Sequence, residues 1–466
     1  MNFESLLEPQ RNHAVTLLNS LYLNGVAFDS SQTGTGKTYV ATWIAKQLNV
    51  PIVVICPKVA IKTWNTVLST FGVKADLVIN YEKLTRGNTK YYTYNEKEYF
   101  NGKTNKSWYM SRGLNVNFPT GALVIFDEVH KCKGMKSLNS ELLVACKNFN
   151  YKLLKLSASA ATLVTDMKAF GYVTNLHQGY NFANWAYKNG ASANNYGAIV
   201  IDDVDRAVEG MKNIHNVLNN VYNCASRMTV DMFGSIFPDN QVNANCFDLG
   251  TVNTQKFNAI TEQMESELAA LDERSKTYKE HIFSVMMRWR RHSELLKVPS
   301  MVEWIEETYK EGSSPVVFIN FQDTLDAIEK RLGNSYKHLI GKICGGQTDK
   351  QRNNDIELFQ NDTKRIMLVN IQAGNSSVSL HDLNGNYPRR SLINPSWSAI
   401  NTLQALGRIF RAEGKTKCIQ NFMFALGTIE ERMAERVQSK LNNIEALNDG
   451  DIQLEFNLVP IAQIGS

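Results

Sequence analysis

Residues 31–38 read SQTGTGKT, and they lie between an apolar run and a helical pattern. A glycine-rich loop that follows a strand and opens a helix points its backbone N–H groups at a phosphate. In such a loop Lys37 reaches the terminal phosphates, and the Thr38 hydroxyl ligates magnesium. Ser31 stands where the general pattern has glycine. The segment therefore predicts a nucleotide site whose binding residues are Thr33, Gly34, Thr35, Gly36, Lys37 and Thr38.

Residues 124–130 read VIFDEVH, an apolar strand pattern that ends in two acids. Taken with the phosphate loop, this pattern predicts that Asp127 holds magnesium through water and that Glu128 orients and deprotonates the attacking water. His130 is predicted to connect this site to the side that holds a nucleic acid. On its own, an Asp-Glu pair after a strand is more often a solvated strand end.

Small hydroxyl residues follow in LSASAAT, at 156–162. Ser157 and Ser159 suit a hinge that couples the nucleotide state to lobe movement. The pattern is weak by itself, because a Ser-Ala turn is common.

A pair of arginines lies in QALGRIFR, at 404–411. Arg408 and Arg411 are three residues apart, which predicts one face of a helix. Two such arginines can reach a γ-phosphate from a second lobe as arginine fingers. The alternative is a surface helix with ordinary salt bridges.

The elements that must position these residues follow two successive patterns of strands and helices. In the first half, apolar runs predict buried strands at 26–29, 51–56, 75–80 and 122–128, with a helix over 38–48. In the second half, strand patterns lie at 315–321, 365–371, 389–395 and 418–424. Alternating strands and helices are typical of parallel sheets in α/β domains.

These patterns divide the chain into four predicted parts. A first lobe covers 1–240 and carries the phosphate loop and the acid pair. A helical connecting region covers 241–311, a second lobe with the arginines covers 312–448, and a C-terminal tail covers 449–466.

Composition excludes several other classes of protein. The 50 basic and 45 acidic residues nearly balance, so a strongly basic coat protein and an acidic tail are excluded. Seven scattered cysteines form no CxxC pair, which indicates reduced thiols rather than a disulfide framework or a zinc site. No apolar run reaches the ~18 residues of a membrane span, and the start lacks a signal-peptide pattern. We therefore expect a soluble protein of the cytoplasm (of a host cell if viral), with the nucleus as the alternative, and not a secreted one.

The motifs, in this order, resemble those of superfamily 2 helicases with a DEVH box, and more closely the SWI/SNF-type DNA translocases. The resemblance covers about residues 6–448. The segment 386–415 looks most like compact, annealing-helicase-like versions in bacteriophages and large DNA viruses. Further segments that carry it are LLEPQ (6–10), CPKVAIKTW (56–64), INYEKL (79–84), CGGQTDKQRNNDIELFQ (344–360) and VNIQAGNSSVSLHDLNG (369–385).

The resemblance implies two RecA-like parallel-sheet lobes with helical insertions, and an ATP site in the interlobe cleft. It implies ATP and magnesium as cofactors, with Gln10 on the adenine. It also places Gln404 in the catalytic set and Gly374 in the nucleotide-binding set. The nucleic-acid contacts that it implies are Lys58, Trp64, Asn320 and Ser376.

A basic stretch at 286–292, MMRWRRH, is a further candidate for nucleic-acid contact. Arg290 and Arg291 suit a grip on a phosphate backbone, with Trp289 stacking on a base. The equally weighted alternative is a solvated helix face with one buried tryptophan.

The function that the resemblance implies is a DNA-stimulated ATPase that translocates on double-stranded or branched DNA. DNA is expected over RNA, a monomer is favoured, no membrane is involved, and a partner protein or DNA shape supplies any target. The main alternative is a true unwinding helicase on DNA or RNA, because Gly407 stands where cellular remodellers have aspartate. Ser159 and 375–377 also depart from the family pattern, which bears on coupling more than on hydrolysis. A nucleotide-dependent scaffold is less favoured, because NKSW at 105–108 is not the guanine motif NKxD.

Overall fold

The computed structural model describes residues 3–86, 89–94, 108–109, 114–133, 137–195, 197–272, 277–374, 378–396 and 398–451. These residues form two compact units. The first unit runs to Gly234 and includes a segment that begins at Ser439, and the second unit runs from Ser235 to Gln438. None of the helices within the described ranges is long and apolar enough to cross a membrane.

The first unit is built on a six-stranded parallel sheet, with strand order β10-β1-β7-β6-β2-β3. Its central strands are buried on both faces, as the continuous apolar runs predict. Two short antiparallel pairs, β4-β5 and β8-β9, lie outside it. The strands are β1 Val26–Asp29, β2 Ile52–Cys56, β3 Leu77–Asn80, β4 Tyr92–Tyr94, β5 Leu114–Val116, β6 Leu123–Asp127, β7 Lys152–Leu156, β8 Ser192–Ala193, β9 Ile199–Val200 and β10 Ala225–Ser226.

Helices of the first unit connect these strands and cover the sheet. The α-helices are α1 Glu8–Leu23, α2 Lys37–Leu48, α3 Ala60–Thr70, α4 Tyr81–Arg86, α5 Leu138–Asn148, α6 Met167–Val173, α7 Phe182–Lys188 and α8 Val204–Asn216. Shorter 3₁₀ turns are Phe3–Ser5, Val129–Cys132 and Val164–Asp166, and Val217–Val221 forms a π-helical turn. The 3₁₀ segment Val230–Ile236 runs into the second unit.

The second unit repeats the architecture with a six-stranded parallel sheet in the order β11-β16-β15-β12-β14-β13. Its strands are β11 Asn240–Phe247, β12 Ser314–Ile319, β13 Ile340–Ile343, β14 Ile366–Asn370, β15 Arg389–Ile393 and β16 Cys418–Ala425. Its helices are α9 Thr251–Ala269, α10 Tyr278–Leu296, α11 Val298–Lys310, α12 Gln322–Lys337, α13 Asp349–Gln360, α14 Ile371–Gly374, α15 Ala399–Ile409 and the start of α16 Glu430–Asp449. The predicted α/β class, with two parallel-sheet lobes, is confirmed.

The boundaries between the parts differ from those predicted. Asn240–Phe247 is an edge strand that pairs along its whole length with β16, so the predicted connecting region belongs to the second unit. Its sequence, NQVNANCF, lacks the apolar run that marks a buried strand. Residues 439–448, predicted in the second lobe, pack with the first unit, where Ala446 and Leu447 enter the core.

Candidate nucleotide site and nucleic-acid contacts

The predicted nucleotide-site residues of the first unit gather at one edge of its sheet. β1 ends at Asp29 directly before the phosphate loop, and β6 ends at Asp127. β7 ends at Leu156, directly before Ser157. Because all these strands are parallel, their carboxyl ends share one edge, which is where open α/β sheets bind ligands.

The backbone of the phosphate loop requires glycine at two positions. Gly34 and Gly36 have φ values of 87° and 90°, in the left-handed region that residues with a Cβ rarely adopt. A Cβ on Gly36 would also lie 2.3 Å from Nε2 of Gln10. Gln10 is buried and its Nε2 donates to the Thr35 carbonyl at 2.9 Å, while its Oε1 accepts from the Leu7 N–H. The predicted adenine contact therefore also braces the loop.

Lys37 begins α2 and turns its ammonium back onto the loop. Its Nζ donates to the carbonyls of Ser31 at 2.8 Å and of Gln32 at 3.0 Å. Withdrawal from water lowers the pKa of Lys37, and the nearby Asp29, Glu128 and Asp127 carboxylates oppose that shift. Thr38 is half-buried in the next position. The Lys37 ammonium is thus held at the loop, where the phosphate oxygens of a bound nucleotide would replace its two carbonyl acceptors.

Two carboxylates crowd the end of β6. Burial first, and then the neighbouring Glu128 charge, raise the pKa of Asp127, while the hydrogen bond from Trp64 and the Lys37 charge lower it. Glu128 takes a left-handed conformation, with φ 56° and ψ 53°, which is strained for a residue with a side chain. Crowded like charges and local strain are features of sites that take a charged ligand.

Two buried aromatic donors also meet Asp127. Nε1 of Trp64, on α3, donates to Oδ2 of Asp127 at 2.8 Å, and the Tyr81 hydroxyl donates to the Asp127 carbonyl at 2.8 Å. Both side chains are 0% exposed. The predicted contact of Trp64 with nucleic acid is therefore wrong, because its side chain lies inside the first unit and bonds to the acid pair.

His130 joins the acid pair to the serine segment, as its predicted coupling role requires. Its Nδ1 lies 3.2 Å from Oε2 of Glu128 and 3.2 Å from Oγ of Ser157. Ser157 Oγ in turn accepts the backbone N–H of Ser159 at 3.2 Å. One side chain thus links Glu128 to Ser157. The coupling function itself stays a prediction.

Behind the phosphate loop lies a buried polar pair that the motif analysis missed. Nε2 of His13 lies 3.1 Å from Oδ2 of Asp29, and Nδ1 of His13 meets Oγ of Ser226 at 2.7 Å. Asp29 Oδ1 accepts the N–H of Ser31 at 2.9 Å, which holds the first turn of the loop. His13 and Asp29 thus brace the start of the phosphate loop through the Ser31 N–H. The acid that ends β1 and the three-residue spacing from Gln10 to His13 were the available signals.

Residues at the end of α16 also contact the segments that follow β7 and β10 at the site. Arg227 Nη1 donates to the Ser30 carbonyl at 2.6 Å, and its Nε lies 2.6 Å from Oδ1 of Asp449. Asn448 Nδ2 donates to the Ala158 carbonyl at 2.8 Å. The predicted tail region thus begins at Asp449, which pairs with the arginine that binds the Ser30 carbonyl just before the phosphate loop.

In the second unit, the predicted arginine fingers share one partner. Arg408 Nη1 and Arg411 Nη2 both approach the Val378 carbonyl, at 3.4 and 3.2 Å. The prediction that both lie on one helical face is wrong, because α15 ends at Ile409, Phe410 is extended and Arg411 lies beyond the helix. Gln404 is buried within α15, and Gly374 ends the short helix α14 directly after β14.

The predicted nucleic-acid contacts have different surroundings. Lys58 is exposed, directly after β2. Asn320 has its side chain bonded within the second unit, donating to Glu294 Oε2 at 2.7 Å and accepting from Arg290 Nη2 at 3.2 Å. Ser376 lies outside the described residues.

The basic stretch on α10 combines both interpretations made from sequence. Trp289 is 3% exposed and donates to Thr261 Oγ1 at 3.0 Å, so it belongs to the core and is not available to stack on a base. Arg290 lies over the Phe321 ring, 5.7 Å from its centroid. Arg291 is about half exposed and pairs with Asp323. Arg291 and the similarly exposed Arg288, which pairs with Glu267, are therefore the arginines of this stretch that can meet a phosphate.

The oxygen atoms at the carboxyl edge of the first unit's sheet (hereafter the first edge) suit magnesium. Asp127 supplies a carboxylate and Thr38 a hydroxyl, which are the hard oxygen ligands that Mg²⁺ takes beside nucleotide phosphates. The raised pKa of Asp127 has a physical cause that a cation would relieve, namely burial beside a second carboxylate. The residues present thus suit a magnesium–nucleotide complex.

The sequence matches two domain families. Residues 24–162 match the type III restriction enzyme, res subunit family, and residues 297–413 match the helicase conserved C-terminal domain. These ranges hold the phosphate loop and acid pair in one case, and Asn320, Gly374 and the two arginines up to Arg411 in the other.

Similar proteins and structures include viral and cellular examples. A "Putative ATP-dependent RNA helicase L364" of Acanthamoeba polyphaga mimivirus is 30% identical over 457 residues, covering 95% of this chain and 84% of that protein. A "DNA repair and recombination protein RAD54-like" of Danio rerio is 28% identical over 159 residues, or 33% of this chain and 21% of that protein. The structure titled "Sulfolobus solfataricus SWI2/SNF2 ATPase core in complex with dsDNA" is 16% identical, with 97% of both chains covered and a TM-score of 0.34.

Proposed function

We propose that this chain translocates on double-stranded or branched DNA. The chain belongs to the superfamily 2 helicases of the SWI/SNF type, and it is an ATP-dependent nucleic-acid motor. The observation that carries the site assignment is the gathering of Lys37, Asp127, Glu128 and His130 at one sheet edge. DNA is proposed as the nucleic acid along which the motor moves on the basis of the cellular relatives, because the motifs contain no residues that would read bases.

The chemistry follows from what these side chains touch. Lys37 donates to two loop carbonyls and exchanges them for phosphate oxygens when ATP binds. Glu128 orients the attacking water and accepts its proton, and His130 holds the Glu128 carboxylate on one side. Asp127 and Thr38 would hold magnesium, which neutralises charge that develops on the phosphates. The carboxylate repulsion at the end of β6 is relieved in that complex.

Preference for DNA rests on the cellular relatives. The RAD54-like relatives are named as DNA repair and recombination proteins, and they match a third of this chain. The candidate contacts Lys58 and Arg291 suit a phosphate backbone, as a motor that ignores sequence requires, and they support a nucleic-acid track of either kind. ATP and magnesium as cofactors, a monomer, a targeting partner and a cytoplasmic location (the nucleus as the alternative) remain predictions with this function.

A true unwinding helicase, on RNA or DNA, is the second candidate. The viral relative that matches nearly the whole chain is named a putative RNA helicase. Gly407 also occupies the position where remodellers of this type have aspartate. These two observations favour a motor that separates strands.

The ATPase rate with different nucleic acids tests the proposal. The rate is measured without nucleic acid and with single-stranded DNA, double-stranded DNA, forked DNA and RNA, with Lys37→Ala as the inactive control. We expect the largest stimulation on double-stranded or forked DNA, together with triplex displacement and little separation of a plain duplex. Stronger stimulation by RNA, or robust unwinding of a duplex, would favour the second candidate.

A further inference from the structure

We propose that Trp64 and Tyr81 are positioning residues that fix Asp127 in the orientation needed to hold a divalent cation. This inference rests on the proposed assignment of Asp127 as a residue that holds magnesium, directly or through water. It gives Trp64, at the end of the segment 56–64, a role inside the ATP site, in place of the nucleic-acid contact expected from sequence.

The geometry around Asp127 carries the inference. One carboxylate oxygen, Oδ2, accepts the indole N–H of Trp64 at 2.8 Å, and the backbone carbonyl accepts the Tyr81 hydroxyl at 2.8 Å. The two bonds fix different parts of one residue, since one sets the carboxylate rotation and the other sets the peptide that follows β6. A rotation of the Asp127 carboxylate breaks the indole bond, and only the two-fold flip that exchanges its equivalent oxygens restores it.

Both donors are themselves rigid. Trp64 and Tyr81 are 0% exposed, and Tyr81 packs against Phe126 with ring centroids 6.4 Å apart. Trp64 lies on α3, which packs against β3 and α2, and Tyr81 begins α4 directly after β3. Each ring has few alternative rotamers in such packing, so each donor keeps its direction.

The electrostatic setting explains why a fixed donor is needed. The Asp127 carboxylate lies beside the Glu128 carboxylate, which repels it. Without the indole, the Asp127 carboxylate would rotate away from Glu128 or toward Lys37, and either movement takes an oxygen from the position that serves a cation. Donors to a ligating carboxylate act in this way in metal sites, and their loss costs roughly 10- to 100-fold in metal affinity or activity.

Magnesium-dependent binding of a fluorescent ATP analogue tests the inference apart from turnover. Affinity is measured with Mg²⁺ and with excess chelator for the wild type, Trp64→Phe and Tyr81→Phe. We expect chelator affinity within about twofold of the wild type for both variants, and a roughly tenfold or greater loss of the Mg²⁺-dependent gain for Trp64→Phe. Tyr81→Phe removes one hydroxyl with little change in volume, and it should show a smaller loss in the same direction.

Matched controls separate positioning from general damage. Trp289→Phe also removes the N–H of a buried indole, which donates to Thr261 in the second unit, and it should leave the Mg²⁺-dependent gain unchanged. Thermal unfolding of each variant shows whether it folds, and if Trp64→Phe does not fold, Tyr81→Phe alone decides. Asp127→Asn should abolish the gain.

The outcomes distinguish the two assignments. If Asp127→Asn abolishes the gain while folded Trp64→Phe and Tyr81→Phe retain it in full, the positioning role is overturned and the magnesium site stands. If Asp127→Asn retains the gain, the assignment of Asp127 itself fails, and with it the proposed site.

Discussion

In the first unit, Asp127 and Glu128 follow one another at the end of β6, and each raises the electrostatic cost of the other. In the second unit, the buried Glu294 accepts the N–H groups of Asn320 and Phe321 and the Asn320 amide, at the end of β12. The same edge of a parallel sheet thus holds two adjacent carboxylates in one unit and a single carboxylate that accepts several N–H groups in the other. The contrast indicates that a ligand completes the first edge, whereas the protein completes the second.

The arginines of the second unit could break this comparison. Arg408→Ala and Arg411→Ala should each lower kcat by ~10³-fold or more, if the two guanidinium groups stabilise charge on the transferred phosphate. ATP affinity should change less, because the interaction strengthens in the transition state. Steady-state ATPase rates and fluorescent ATP binding measure both quantities.

Arg331→Ala, an exposed arginine on α12, serves as the control and should keep the wild-type rate. Full activity of both Arg408→Ala and Arg411→Ala would mean that these residues have a structural role, which includes their bonds to the Val378 carbonyl.

Removal of one charge from the first edge sharpens the comparison. Glu128→Gln should lower kcat by ~10²- to 10⁴-fold, because the attacking water loses its base. ATP binding should persist, since the variant loses a repulsive carboxylate and keeps Lys37. Single-turnover hydrolysis and nucleotide binding, with Lys37→Ala as a variant that loses binding, check this expectation. Wild-type turnover in Glu128→Gln would show that Glu128 is not the general base.

At the carboxyl edge of the second unit's sheet (the second edge), the complementary prediction concerns stability. Lys297 and Glu430 form a buried pair, with Nζ 2.7 Å from Oε1 and side chains that are nearly inaccessible. Lys297→Met leaves a buried carboxylate without its cation and should lower the unfolding free energy of the second unit by about 3–5 kcal/mol. Urea unfolding measures this loss.

The double variant Lys297→Met, Glu430→Gln should recover most of it, because the amide keeps an acceptor for the Ala425 N–H and carries no charge. A single variant as stable as the wild type would mean that the second edge is less dependent on internal pairing than the geometry indicates.

The sequence was sufficient for the parts of the fold and site that depend on local patterns. The strands that carry the phosphate loop and Asp127 are continuous apolar runs, and the left-handed Gly34 and Gly36 are visible as glycines. Short or polar strands were missed, because KLLKL at 152–156 and NQVNANCF at 240–247 give no clear apolar period. Their pairing comes from neighbours distant in the chain.

Tertiary partners account for the rest of the unpredicted site. Trp64 and Asp127 are 63 residues apart and meet only because α3 packs beside the parallel sheet. The family resemblance placed both Trp64 and Asn320 at the nucleic acid, and no local pattern in the sequence points to their partners within the fold. The bonds of Asn320 to Glu294 and Arg290 became apparent only in the fold.

A buried lysine in the first unit gives a pH-dependent prediction. Lys155 lies in β7, its ammonium has no hydrogen-bond partner within the described residues, and burial lowers its pKa to about 7. Between pH 7 and about 10 the unfolded chain therefore binds more protons at this position, so the unfolding free energy of the wild type rises with pH. Lys155→Met should be more stable than the wild type near pH 7 by about 1–3 kcal/mol, with the difference shrinking toward pH 10.

Urea unfolding at a series of pH values checks this difference. Lys152→Met, on the same strand but only partly buried, should show no such pH-dependent gain. A constant difference across the series would mean that Lys155 stays charged in the folded protein, stabilised by the Phe170 ring that lies 4.1 Å from Nζ.

The smallest expected effect concerns the surface of the second unit. Arg290 is bound to Asn320 and Phe321, so its replacement would disturb the network around Glu294, and Arg291 gives the cleaner test. Each phosphate contact contributes a slope of about 0.9 to the dependence of log affinity on log salt for duplex DNA. Arg291→Ala should therefore reduce the magnitude of that slope by about one unit, with basal ATPase unchanged. Arg390→Ala, which removes an arginine paired with Glu311 in the same unit, should leave the slope unaltered. An equal reduction in both variants would assign the effect to net charge, and no reduction in either would leave Arg291 as part of a solvated helix face.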